Sequence, residues 1–216
     1  MSDAADGRTG PPVVASAGSS DPAAPLVVLL HGRGSDERQI VTLAGHLPEG
    51  PAYAAVRAPI AEGGGYAWFA NRGIGRPVAE SLAENMAWFR AWLQEVAPAG
   101  RPVVLVGFSG GAAFAGGLLL AEPTRYAGVA LLHGTLPFDA GLSVEPSQLE
   151  GAHTFIAQGD GDHVIPRDLL DRTWAYLREE SGASTRSHRD AGGHGLSAQA
   201  VGALAGWVAE RLDLAR

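Results

Sequence analysis

The sequence predicts an α/β protein built on an open, mostly parallel sheet with helices on both faces. Short, unbroken runs of valine, leucine and alanine recur along the chain, as expected of strands covered on both sides. Segments with apolar residues every three or four positions lie between them, the period of a helix with one buried face. From residue 25 onward, glycine and proline punctuate the boundaries, so strand and helix alternate in the order that produces parallel pairing.

Residues 1–24 are small and polar and contain no apolar run long enough for a signal-peptide core or a membrane span, so they read as a frayed tail on a cytoplasmic protein. Within them Val13 to Ala17 has strand character, but Pro11, Pro12 and Gly18 confine it to a short edge strand. The first firm strand is PLVVLLHG, 25–32. Further strands follow at 52–59, 102–107, 127–134 and 152–159, and STRSHRD near 184–190 reads as a strand carrying arginines. Helical spacing joins Ile40, Leu43, Ala44 and Leu47, then Leu82, Met86, Phe89, Leu93 and Val96, and finally Ala200, Leu204, Val208 and Leu212. The run after Ser109 reads as a further, amphipathic helix. Residues 25–216 therefore form one expected domain, and 216 residues with 46% apolar content suffice for its core.

Composition excludes several kinds of chemistry. The chain has no cysteine, so disulfides, thiolate nucleophiles and cysteine metal sites are absent, and its seven histidines show no H-x-H or H-x-x-x-H spacing. No metal and no cofactor is expected. A formal charge of −7, with no cluster of basic residues, argues against a nucleic-acid or anionic-membrane partner. The partner expected is a small molecule, and the sequence leaves a homodimer open.

The most informative stretch is VVLVGFSGG, where a buried strand turns at once into a helix around Gly107, Phe108, Ser109, Gly110 and Gly111. So tight a turn leaves no space for side chains at 107 and 111, and it pushes Ser109 to the tip at the carboxyl end of the sheet. The helix behind it begins with unpaired N–H groups and the positive end of its dipole. This is the G-x-S-x-G elbow of a serine nucleophile.

A serine hydroxyl needs a base, and the base needs a carboxylate. His163 adjoins Asp162 and His188 sits within a strand, whereas His194 lies in the glycine-rich AGGHGLS loop before the last helix and is free to reach the sheet edge. His194 is the candidate base. Asp160 and Asp162 both follow the strand at 152–159 and both could reach an imidazole, and order along the chain does not separate them. Asp139, Asp168 and Asp171 read as surface or helix-start residues. An acyl-transfer oxyanion requires two donors. The backbone N–H of Gly110 supplies one, and that of Arg33, in the loop HGRGSDE, is the candidate for the other. His31 in the same loop reads as a buried pin.

PLVVLLHGRGSDE, GFSGG, GDGDHVIP and GGHGLS, in this order and spacing, resemble the phospholipase/carboxylesterase branch of the α/β-hydrolases, which includes the acyl-protein thioesterases. The likeness covers roughly residues 25–212 and implies an α/β-hydrolase fold with cofactor-free hydrolysis of esters or thioesters by a Ser-His-Asp triad. In that family the acid precedes a hydrophobic pair and a proline, as Asp162 precedes Val164, Ile165 and Pro166, so the resemblance selects Asp162 over Asp160. The chain departs from the pattern at Gly110, where relatives carry glutamine, and at His133, where they carry serine. His133 is thus a candidate for the acyl-binding side, with a packed histidine as the alternative.

The loop EGGGYAWFANRGIGRP, 62–77, has the aromatics to wall a groove, as a loop there does in similar enzymes. Tyr66, Trp68 and Phe69 are its candidates, with packing onto the sheet edge as the alternative role. Between Leu132 and His153 two prolines and no helical period argue against a sizeable lid. The expected function is a serine esterase for short to medium acyl chains. The alternatives are a thioesterase or acyltransferase of a biosynthetic pathway and a non-catalytic binding protein on the same fold.

Overall fold

The computed structural model describes residues 10–213. In chain order the elements are β1 (Val14–Gly18), β2 (Leu26–Leu30), α1 (Glu37–Ile40), β3 (Ala52–Val56), the hairpins β4 (Ile60–Glu62) with β5 (Gly65–Ala67) and β6 (Asn71–Gly73) with β7 (Arg76–Pro77), and α2 (Ala79–Val96). Then come β8 (Val103–Phe108), α3 (Gly110–Ala121), β9 (Gly128–Leu132), β10 (His153–Gly159), α4 (Arg167–Ala175), β11 (Ser184–Asp190) and α5 (Ala198–Arg211).

Seven strands form one sheet in the order β1-β3-β2-β8-β9-β10-β11, parallel throughout except for β1. The expected open parallel sheet is the one observed. Side chains alternate across it, as strand geometry requires. Val28, Leu30, Leu105, Leu131 and Ile156 face α2, α3 and α4, whereas Val27, Leu29, Val104, Val106, Leu132 and Phe155 face Leu204, Trp207 and Val208 of α5 together with Leu43 and Leu47. Both faces are covered, which is why the strands read as unbroken apolar runs. No helix among the described residues is long and apolar enough to cross a membrane.

Three expectations need correction. The segment 1–24 is not a tail throughout: the short edge strand expected at 13–17 forms as β1, at the sheet edge just beyond Pro11 and Pro12, and pairs antiparallel with β3 from Val14↔Val56 to Gly18↔Ala52. Residues 1–9 lie outside the described range. The helix expected over Ile40, Leu43, Ala44 and Leu47 is a single α turn, capped by Asp36, that tightens into a 3₁₀ turn over Val41–His46. The Thr42 hydroxyl bonds the Gln39 carbonyl, Gly45 adds little helical preference and Pro48 ends the segment, yet Leu43 and Leu47 still reach the core. α3 is not amphipathic, since every residue from Gly111 to Leu120 is buried; it is the central helix under the sheet. Segment 133–152 carries no helix, and Leu136, Phe138 and Leu149 anchor it in the core.

Candidate active site

The elbow sits where β8 ends, at the middle of the sheet. Ser109 has φ 54° and ψ −115°, a conformation that costs a non-glycine residue about 1–3 kcal/mol and persists only where its surroundings enforce it. Part of the enforcement is the crowding of strand and helix. A Cβ on Gly111 would stand 2.2 Å from the Leu30 carbonyl oxygen, and one on Gly107 would stand 2.2 Å from that of Gly111. The Ser109 N–H is held by the Leu132 carbonyl at 2.8 Å.

The loops after β10 and β11 bring the other two groups. They are stitched together by Asp160 N–H to the Asp190 carbonyl at 2.7 Å and Gly161 N–H to the Gly192 carbonyl at 2.9 Å. Gly159 permits this approach, because a Cβ there would lie 2.2 Å from the Gly192 oxygen. Asp190 braces the second loop, accepting from Gly192 N–H at 2.8 Å and from the Ser197 hydroxyl at 2.5 Å, while Ser197 caps α5.

Ser109 Oγ lies 2.9 Å from His194 Nε2, and His194 Nδ1 lies 2.7 Å from Asp162 Oδ2. A carboxylate only accepts, so the imidazole proton is on Nδ1 and Nε2 is left to accept from the serine. Asp162 has no exposed side-chain surface. Burial pushes its pKa upward, but the His194 ring N–H and the backbone N–H groups of Ile165 and Val164 outweigh it and leave the carboxyl below its ordinary range. Asp160 faces outward, at 57% side-chain exposure, toward Arg167 and Arg189.

The N–H groups of Arg33 and Gly110 border the same space. A Cβ on Gly110 would lie 3.3 Å from the Arg33 nitrogen, and neither N–H donates to an acceptor among the described residues. The loop carrying Arg33 is fixed from both sides. Gly34 N–H bonds the Tyr66 carbonyl at 2.9 Å and Tyr66 N–H the Ser35 carbonyl at 3.0 Å, while the Arg33 guanidinium pairs with Glu62, Nε to Oε1 at 2.7 Å, and donates to the Phe69 carbonyl. His31 is the expected pin. Its Nδ1–H donates to the Gly32 carbonyl at 2.7 Å and its Nε2 accepts from Ala58 N–H at 3.0 Å, and burial lowers its pKa below the ordinary histidine value.

A cavity of about 560 Å³ opens over Ser109. Trp68 and Phe69 line it as expected, with Ile40, Phe108, Val164 and Ile165. Trp68 also packs in the core, stacked on Phe114 at 4.5 Å with its indole N–H on the His31 carbonyl. Tyr66 does not line the cavity. Its ring lies under the Arg57 guanidinium, 4.7 Å away, because its backbone is committed to the Ser35 bridge. His133 does not face the acyl side either. It is buried behind His194 and Asp162, with Nδ1 3.8 Å from Asp162 Oδ2, and so takes the packed alternative.

Phe108, Ile40, Thr135, Val164 and Ile165 were not singled out from the sequence. Phe108 is the variable residue of the elbow motif, and Val164 and Ile165 are the pair before Pro166, so adjacency to motifs was the available signal. The donor atoms of His133, Asp162 and His194 lie within 4.8 Å of one another, but those of Asp162 and His194 are committed to each other, and one uncommitted imidazole does not make a metal site.

Comparison with known proteins agrees with this architecture. The sequence profile of the family described as phospholipase/carboxylesterase matches residues 11–209. MhqD of Bacillus subtilis strain 168 is 26% identical over 192 residues, 87% of this chain and 94% of that protein. The Bacillus cereus carboxylesterase superposes with a TM-score of 0.80 at 24% identity, over 92% of this chain and 93% of its own. A carboxylesterase from Mesorhizobium loti gives 0.75 at 24% identity, over 90% and 98%. These structures share its α/β-hydrolase fold.

Proposed function

This chain belongs to the phospholipase/carboxylesterase family and is a hydrolase, and we propose that it cleaves carboxylic esters, thioesters among them, of short to medium acyl chains through an acyl-enzyme on Ser109. The observation that carries this reading is the unbroken hydrogen-bonded line from Ser109 Oγ through His194 to the buried Asp162, opening on one cavity. In the proposed reaction His194 Nε2 takes the hydroxyl proton as Oγ attacks the carbonyl carbon. The oxyanion that forms is met by the N–H groups of Arg33 and Gly110, donors fixed before the reaction and therefore free of reorganisation cost. Collapse expels the alcohol or thiol, which receives the proton from His194. Water then repeats the sequence on the acyl-enzyme and releases the acid.

Substrate size follows from the cavity. A volume near 560 Å³ is that of a small-molecule site, and Ile40, Trp68, Phe69, Ile74, Val164 and Ile165 offer apolar surface to an acyl chain. The test is a panel of p-nitrophenyl esters and acyl thioesters of graded length, run with the native chain and with Ser109→Ala. The native chain is expected to turn over short and medium esters and to be labelled by a fluorophosphonate probe, and the variant to do neither. Labelling or turnover that survives in Ser109→Ala overturns the assignment.

A further inference from the structure

His133 is costly where it stands. It follows β9 with φ 48°, the left-handed region that a non-glycine side chain seldom occupies, and it is 1% exposed with neither ring nitrogen hydrogen-bonded. A buried polar ring without partners destabilises a fold relative to an apolar ring of the same shape. The surroundings of this ring are the reacting groups. Its own N–H is fixed to the Ala157 carbonyl at 2.8 Å, and the preceding carbonyl, that of Leu132, holds the N–H of Ser109. The ring stands edge-on to that of His194 with centroids 6.1 Å apart, and Phe108 closes another side at 6.0 Å.

The Asp162 carboxylate is supported unevenly. Oδ1 accepts from two backbone N–H groups, those of Val164 at 2.9 Å and Ile165 at 3.2 Å, while among the described residues Oδ2 accepts from His194 alone. His133 Nδ1 stands 3.8 Å from Oδ2. We propose that His133 is a positioning residue for the triad, presenting an Nδ1–H toward Asp162 Oδ2 and holding the carboxylate in place as His194 gains and loses its proton. This rests on the serine-hydrolase reading above.

The chemistry favours that tautomer. The groups facing His133 are Asp162 on the loop after β10, His194 and the backbone of Gly193 on the loop after β11, and Asp190 at the end of β11. Burial first, and His194 next, lower the pKa of His133, against the opposing pull of Asp162, Asp190 and the Gly193 backbone, so the ring is neutral and carries one N–H, for which Asp162 Oδ2 and the Gly193 backbone compete. With that hydrogen on Nδ1 the ring dipole points at the carboxylate; with it on Nε2, a lone pair would face the anion. A neutral donor also leaves the charge of Asp162 undiluted, which a protonated neighbour would not. Because His133 does not line the cavity, its contribution falls on kcat and leaves KM alone.

The experiment compares the intact chain with His133→Phe, which keeps a ring and removes the donor, His133→Leu as a second donor-free variant, and His133→Asn, whose side-chain amide can replace Nδ1–H and which tolerates a left-handed backbone. Expected are a fall in kcat of about tenfold for Phe and Leu with KM unchanged, recovery of most of the rate in Asn, and a displaced low-field resonance of the proton between His194 and Asp162 in the donor-free variants. A melting temperature at or above that of the native chain accompanies the slower Phe enzyme. If Phe does not fold, Leu against Asn decides. Donor-free variants with native kcat, or Asn as slow as Leu, overturn the role of His133 while Ser109→Ala remains inactive; activity in Ser109→Ala overturns the parent reading instead.

Discussion

Asp160 and Asp162 stand two residues apart on one loop, yet Asp162 is fully buried against His194 while Asp160 lies 57% exposed between Arg167 and Arg189. The difference arises in the turn. Asp160 and Gly161 donate their N–H groups across to the carbonyls of Asp190 and Gly192, and the turn then directs the next side chain inward, where its other oxygen accepts from the N–H groups of Val164 and Ile165. Two positions that share a face in an extended segment are here separated by a turn closed by the Asp162 N–H to Gly159 carbonyl bond.

Asp162→Asn is therefore expected to lower kcat/KM by about 10³–10⁴-fold, since the amide presents no charge to the imidazolium and selects the wrong imidazole tautomer. Asp160→Asn removes only an exposed pairing with two arginines and should stay within about twofold of the native rate. Steady-state kinetics on one soluble ester rank the two, and the reverse ranking would assign the carboxylate to Asp160.

The glycines of the elbow separate fold from chemistry. Gly111→Ala would drive a Cβ to 2.2 Å from the Leu30 backbone and should leave little folded protein. Gly110→Ala meets nothing nearer than 3.3 Å, and alanine suits a helix better than glycine by about 1 kcal/mol, so its melting temperature should match or exceed the native value. The atom it meets is the Arg33 nitrogen, so the new methyl crowds the space between the two proposed oxyanion donors. A stable but slower enzyme is the expected result. A Gly110→Ala enzyme at full rate would show that the oxyanion is bound elsewhere.

Stability should respond to acid in two stages. His31 and His133 are buried, and burial holds both below the ordinary histidine value of 6.5. Folded His31 resists a second proton because Nε2 is already the acceptor for Ala58 N–H. Between pH 6.5 and its lower folded value the unfolded chain binds protons that the folded chain refuses, so stability is complete above about 6.5 and declines below it. Asp162 and Asp190, whose carboxyls are depressed, add stability above the ordinary aspartate value of 3.8 that is lost only as pH falls through their folded values. Thermal melts from pH 8 to 3 should show a first decline starting near 6.5 and a second below about 4. A melting temperature constant down to pH 4.5 would contradict the first stage.

What the sequence disclosed was what local pattern controls. β2, β8, β9 and β10 were legible because burial on both faces demands unbroken apolar runs, and Ser109 because only glycines permit the turn around it. His194 followed from order along the chain. Choosing between Asp160 and Asp162 required family resemblance, because local spacing does not encode a turn closed by bonds to the neighbouring loop. Tyr66 and His133 were misplaced for the same reason. In short hairpins and loops the direction of a side chain is set by distant partners, Ser35 and Arg57 for Tyr66, and β10 for His133. The 3₁₀ turn after α1 shows the converse: apolar spacing located Leu43 and Leu47 in the core but did not define the helix type that carries them.

The last prediction concerns access to the site. Segment 133–152, where a lid would be inserted, has no helix and is held in the core by Leu136, Phe138 and Leu149. On the opposite side the β4–β5 hairpin is bonded to the loop of Arg33, and the cavity over Ser109 is already formed. Among the described residues the cavity is formed with no helix over segment 133–152. An enzyme of this kind gains nothing from an oil surface, because an interface accelerates hydrolysis by displacing a lid and exposing the apolar surface beneath it. Hydrolysis of one ester, followed as its concentration crosses the solubility limit, should saturate on the monomeric side and show no second rise. A sharp increase in rate at that limit would mean that a segment covers the cavity in solution, and the tip of the β6–β7 hairpin at Ile74, exposed and lining the cavity, would be the place to look for it.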